Sequence, residues 1–172
     1  MSNRLRVGVL SVFLALSLTQ CSGNDSMSVD LHNTQGQKVG TAKLSESDKG
    51  VKLTIDAAGL PPGKHGFHLH TTGSCQGPDF KSAGDHYNPD GKKHGHENPD
   101  GHHAGDFPNV EVAQDGTLKV EILTKDVTLE KGKPNSLRKE GGTAMVLHEA
   151  PDDYKTDPSG DSGARLVCGE IH

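Results

Sequence analysis

The chain has no tryptophan, and aromatic residues make up only 3% of its 172 positions. Any core must therefore be assembled from Val, Leu, Ile and Ala side chains. No stretch beyond the first twenty residues sustains a 3.6-residue apolar period, which argues against a helical bundle or a coiled coil. Basic residues are in the minority, 18 against 23 acids, giving a formal charge of −5 and no basic footprint for nucleic acid. Long apolar runs are also missing. The longest covers residues 7–18, too short to cross a bilayer comfortably and the right length for the centre of a signal peptide.

That run follows Arg4 and Arg6 and stops at Thr19-Gln20-Cys21, after which the chain turns polar. The pattern resembles a bacterial lipoprotein signal, with Cys21 lipid-modified as the new N-terminus, although Gln20 stands where a small residue is usual. An ordinary cleaved signal is the alternative, and both imply export. Residues 1–21 are thus read as a targeting segment, 22–27 as a tether and 28–172 as one domain. Cleavage removes Arg4 and Arg6 but no acid, taking the formal charge from −5 to −7. It also leaves Cys75 and Cys168, an even pair suited to an oxidising compartment; two free thiols are the bland alternative.

What is abundant is glycine, 22 residues, with nine prolines and eleven histidines. Glycine and proline punctuate short strand-like runs at 28–32, 37–44, 51–55, 66–70, 110–112, 118–122, 127–129, 143–148 and 164–167. Gln114-Asp115-Gly116 between two of these runs is a hairpin signal. The expectation is an all-β domain of about eight strands, a barrel or sandwich. Residues 71–109 and 149–163 lack strand character and form two long loops, of the kind that carries function.

Most of the histidines lie between His65 and His103, and histidine is the commonest metal ligand among side chains. In a strand, His68 and His70 project from one face while Leu69 goes to the other. His148 ends another strand-like run, and His86 lies in the loop between them. His86, His94, His103 and Asp106 form a second set, three imidazoles and a carboxylate, which suits a tetrahedral zinc site. A solvated histidine-rich loop with incidental metal affinity is the competing reading of spacing alone.

Six blocks of sequence narrow this. His65-Gly66-Phe67-His68-Leu69-His70, residues 82–89, Lys93-His94-Gly95, His103-Ala104-Gly105-Asp106, Val146-Leu147-His148-Glu149 and residues 163–169 resemble, in order, the copper–zinc superoxide dismutase family. The resemblance covers residues 28–170 and implies an eight-stranded Greek-key β-barrel or sandwich, a class in which that family is already placed. It implies one copper per subunit on His68, His70, His86 and His148. It implies one zinc on His86, His94, His103 and Asp106, with His86 bridging the two metals. Between the adjacent His102 and His103, the His-x-Gly-Asp spacing favours His103. Asp152 falls where a carboxylate links a copper-bound histidine, His68 or His70, to His94. Arg165 falls at an anion-guiding arginine, and Cys75 and Cys168 at the family's disulfide. His65 matches a structural position, while His32, His96 and His172 are expected in solvent.

The implied activity is dismutation of superoxide to oxygen and hydrogen peroxide. In this family His86 would leave copper on reduction and carry a proton. Lys155 is the one further cation in the short final loop. A non-catalytic relative that buffers or delivers copper and zinc in the cell envelope is the alternative. The expected partner is the superoxide anion, with no nucleic acid, membrane contact only through Cys21, and a monomeric or homodimeric state.

Overall fold

A computed structural model describes residues 26–172; residues 1–21, read from sequence as a targeting segment ending at Cys21, lie outside them. The strands are β1 (Ser26–Asn33), β2 (Lys38–Ser47), β3 (Gly50–Ala57), β4 (Gly63–His65), β5 (Phe67–His70), β6 (Val110–Val112), β7 (Leu118–Thr124), β8 (Thr143–His148) and β9 (Arg165–Ile171). The one helical element among the described residues is a 3₁₀ turn, Lys81–Ala83. β1 takes in Ser26 and Met27, which the sequence suggested as tether.

Strand alternation explains the core. In β3, Val51, Leu53, Ile55 and Ala57 face inward while Lys52 and Asp56 face solvent. Seven strands form one antiparallel sheet in the order β5-β8-β9-β1-β2-β3-β7, and β4 pairs with β6 in a separate ribbon. The non-sequential neighbours β5–β8, β9–β1 and β3–β7 are the crossovers of a Greek key. β4 runs into edge strand β5 through Gly66, and β6 runs through a turn into the other edge strand, β7. The ribbon thus connects the two edges of the curled sheet. The inward side chains form one apolar cluster, from Val29 and Leu44 to Leu118 and Ile171.

β8 is buried along its whole length because both of its faces are covered. Met145 and Leu147 belong to the main core. Ala144 and Val146 lie in a second cluster, under Phe80 and Ala83 of the long loop and against Cys168. That loop is tied down by a disulfide between Cys75 and Cys168, with Cα atoms 5.7 Å apart.

Three sequence expectations change. The Gln114-Asp115-Gly116 turn forms, with Ala113 N–H donating to Thr117 O at 2.8 Å. Its two strands then part, β6 to β4 and β7 to β3, because alternation sets which face is buried and not which neighbour is chosen. Residues 127–129 are not a strand. Val127 and Leu129 are buried in the main core, and Glu46 holds the segment by accepting from Thr128 Oγ1 and, at 2.8 Å, from Leu129 N–H. A third irregular stretch, 125–142, therefore joins the two expected loops. Finally, the run expected at 66–70 begins at Phe67, and Gly66 separates it from β4, which was not expected; Gly66 donates to Ala150 O and accepts from His148 N–H. Counting β4 and β5 as one interrupted strand gives the expected eight.

Candidate metal centre

β5 builds the centre. His68 and His70 project from one of its faces, and the long loop returns along it through isolated bridges His70–His86 and His68–Asp106. Leu69 fixes the register: its N–H donates to Gly105 O at 2.9 Å, and its O accepts from Tyr87 N–H at 2.7 Å. Gly105 has no room for a side chain, since a Cβ there would stand 2.6 Å from Leu69 O. His148 comes from the end of β8, beside β5.

The result is two sets of ligand atoms, each with all members within 4.8 Å of one another: His68, His70, His86 and His148, and His86, His94, His103 and Asp106. All seven residues are buried, and His86 is common to both sets. His103 is in the second set and His102 is not. Asp152 joins His68 and His94, its Oδ2 2.7 Å from His68 Nε2 and its Oδ1 3.0 Å from His94 Nε2. Of the two candidates from sequence, the carboxylate therefore meets His68; His70 instead places Nδ1 2.9 Å from Gly84 O.

Among the described residues, His68 Nδ1, His86 Nε2 and His94 Nδ1 are buried without a geometrically good hydrogen bond, His94 Nδ1 lying 3.2 Å from Asp106 Oδ2. An unpaired buried polar atom is costly, and several converging on one another are the mark of a metal site. The opposite nitrogens of His68 and His94 are held by Asp152, the outer partner that fixes ring orientation in metal centres. Copper and zinc fit this donor set: imidazole suits both, and a carboxylate with three imidazoles suits zinc.

Burial and charge set the protonation of the metal-free site. Burial, reinforced by neighbouring histidines, pushes His86 down to about 4 and His148 down to about 3. Burial works the same way on His94, but the carboxylates of Asp106 and Asp152 outweigh it and raise His94 to about 9. Burial opposes ionisation of Asp106 too, yet His103, His86, His94 and the Gly95 N–H hold it far below the usual carboxylate range.

Arg165 begins β9 at the rim of the first set. Its Nη1 donates to Phe80 O and its Nη2 to Gly84 O, each at 2.7 Å. Gly84 O thus fixes both Arg165 and His70. Lys155 pairs with Glu97 at 2.8 Å on the surface, which reduces what it can add to a positive rim. His65 places its ring nitrogens 2.8 Å from His148 O and 2.9 Å from Pro61 O, the structural role expected of it. His172 is largely exposed, as expected. His96 is exposed, as expected, and its ring lies against His102.

Three residues that sequence reasoning did not single out hold the final loop in place. Asn109 donates from Nδ2 to Asp152 O at 2.9 Å and accepts at Oδ1 from Asp152 N–H at 2.7 Å. Tyr154 Oη accepts from Asn109 N–H at 2.8 Å, and Tyr154 O accepts from Glu97 N–H at 3.1 Å. Gly160 packs directly on the Asp152 carboxylate.

Comparison with known proteins agrees with this geometry. The family described as copper/zinc superoxide dismutase (SODC) matches residues 38–171. The chain is 48% identical over 165 residues to copper–zinc superoxide dismutase 2 of Aquifex aeolicus, covering 95% of this chain and 96% of that one. It is 48% identical over 145 residues to the superoxide dismutase-like protein YojM of Bacillus subtilis, covering 83% and 74%. A crystal structure of a superoxide dismutase-like protein from Bacillus subtilis superposes with a TM-score of 0.82 at 48% identity, over 84% of this chain and 97% of that one. With the fold, two converging ligand sets and a family match over most of its length, the chain belongs to the copper/zinc superoxide dismutase family, whose cofactors are copper and zinc.

Proposed function

We propose that the protein dismutes superoxide to oxygen and hydrogen peroxide. The observation that carries this reading is the complete pair of ligand sets sharing His86. His68, His70, His86 and His148 would hold copper, and His86, His94, His103 and Asp106 would hold zinc. Bound copper supplies the one-electron redox couple, while zinc is redox-inert. Arg165 holds the substrate anion at the rim, its guanidinium kept in place by two carbonyls. His86 Nε2, buried between the two sets, is the atom at which a proton can be held for the reduced product. Asp152 fixes His68 and His94 so that their free nitrogens converge. Export, with lipid attachment at Cys21, belongs to the same reading and is supported by the signal-like segment and the disulfide.

Superoxide decay after pulse radiolysis tests the activity on protein carrying one copper and one zinc. Fast copper-dependent decay is expected, falling to near the buffer rate in His148→Ala. In Arg165→Ala, kcat/KM should drop about tenfold or more and its salt dependence should flatten, with copper retained. Superoxide dismutases are themselves a reference case for such steering. An unchanged rate and salt slope would remove Arg165 from the mechanism. A second reading, metal storage or delivery without turnover, draws on the dismutase-like name of the Bacillus relative; stoichiometric metal with no decay would select it.

Zinc binding offers a separate check. A ligating imidazole must be neutral. At pH 7.5 the metal-free protein holds a proton on His94, raised to about 9, and none on His86, lowered to about 4. Each zinc should therefore displace about one proton, readable by calorimetry in buffers of different ionisation enthalpy. The sign follows: affinity rises with pH, by roughly tenfold per unit between 7.5 and 8.5, and levels off above the His94 value. Release of no proton would contradict the assignment of His94.

A further inference from the structure

His96 and His102 form an imidazole pair outside both ligand sets. They belong to the long loop, His96 two residues after His94 and His102 directly before His103. Their ring centroids are 4.0 Å apart with planes inclined by 47°. His68 and His86, which share a ligand set, have the same 4.0 Å separation and an inclination of 34°. The pair therefore has a ring spacing that also occurs within the first ligand set.

Hydrogen bonding fixes which nitrogens are available. His96 Nε2 lies 3.1 Å from Asp106 O, and His102 Nδ1 lies 2.8 Å from His103 O. A carbonyl oxygen only accepts, so these two nitrogens carry the N–H groups. In the neutral rings the lone pairs are then on His96 Nδ1 and His102 Nε2. This is the arrangement of a ligating histidine, with one nitrogen donating to a carbonyl and the other left for the metal. Unlike the buried centre, the pair is open to water: His96 is exposed and His102 half-buried. Both line a cavity of about 550 Å³ that also meets Phe107, Val120 and Glu121.

We propose that His96 and His102 are an auxiliary site for a divalent transition-metal ion, binding Cu²⁺ ahead of Zn²⁺ through two imidazole nitrogens and water. Nitrogen donors favour Cu²⁺ over the other first-row divalent ions. With two protein ligands instead of four, and water filling the rest, the site binds more weakly than the buried centre and exchanges its ion with solvent. It adds a third metal equivalent to the two expected in this family.

The test is Cu²⁺ titration of protein already loaded with copper and zinc, followed by equilibrium dialysis and electron paramagnetic resonance. One further Cu²⁺ per chain is expected, with coupling to two nitrogens. Its affinity should fall by at least about tenfold in both His96→Gln and His102→Gln, with the inner metals retained. Glutamine can still donate to the carbonyl but offers no imidazole lone pair. Absence of a third equivalent, or one bound equally well by both variants, overturns the proposal. A measurement on the unaltered protein guards against a variant that folds poorly. With the inner copper reduced, a third equivalent of Zn²⁺ should shift the ring nitrogen resonances of His96 and His102. Shifts confined to His32 and His172 would overturn the site as well.

Discussion

Gly160→Ala should weaken zinc binding about 10- to 100-fold, as far as Asp152→Ala does, although glycine contributes no chemistry of its own. Gly160 has φ +65°, and a Cβ there would overlap the Asp152 carboxylate and come within 2.6 Å of His94 Nε2. Asp152 has little freedom to yield. Its Oδ1 accepts from Tyr154 N–H at 2.6 Å, and Asn109 holds its backbone on both sides. Asp153 N–H donates to Gly160 O at 2.9 Å, so the loop cannot easily widen. The carboxylate must therefore leave His68, His94 or both, and one substitution should disturb copper and zinc together. Gly132→Ala is the control. It has φ +84° and nothing within 4 Å, so it carries a similar backbone strain, on the order of 1–2 kcal/mol, without the clash. Chelator competition on the two variants separates the effects. Wild-type zinc affinity in Gly160→Ala would show that Asp152 does not orient the ligands; equal losses in both variants would assign the effect to strain.

The parts of this centre legible in the sequence are those that obey a period or a chemical type. His68 and His70 share a face because strands repeat every two residues, and the second ligand set is visible as histidines and an acid crowded into one loop. The even pair Cys75 and Cys168 forms the disulfide. Asn109, Tyr154 and Gly160 were not legible, because irregular backbone leaves no repeat from which to infer a partner. Asn109 follows Asp106-Phe107-Pro108, but nothing in its type says that both ends of its amide go to Asp152. Fold errors had the same origin. Val127-Thr128-Leu129 alternates like a strand, yet its apolar residues are buried in the main core without a ladder. The 114–116 turn was correct, while the choice of neighbour for β6 and β7 depended on strands distant in sequence. His96 is exposed, as its lack of a family position suggested, while its contact with His102 exists only once the loop is folded.

Removing the disulfide in Cys75→Ala/Cys168→Ala should cost the metal-free protein roughly 4–5 kcal/mol. The bond spans a sequence separation of 93, and on the chain-entropy account its effect is mainly to restrict the unfolded chain. For a domain near 150 residues that corresponds to a drop in Tm on the order of 10–20 °C. The local consequences are uneven. Phe80 is anchored independently, buried against Ala144 and Val146, so the loop keeps one apolar attachment. Residues 75–79 are held less firmly, by partial packing of residue 75 on the same cluster and its N–H donating to Glu170 at 2.7 Å, and gain freedom in the folded state. Arg165 depends on the Phe80 and Gly84 carbonyls just beyond, so its guanidinium should lose definition before the metal ligands do. His86 and Asp106 are held by bridges to β5 and not by the disulfide. The expected pattern is a large loss of stability and reduced kcat/KM, with zinc affinity nearly unchanged. Urea unfolding of the metal-free variant, beside zinc competition on the same protein, measures both parts. A stability loss below about 1 kcal/mol would mean that the unfolded chain is already compact around this segment. A matching loss of zinc affinity would mean that the loop acts as one unit, with the disulfide supporting the ligands as well as the rim.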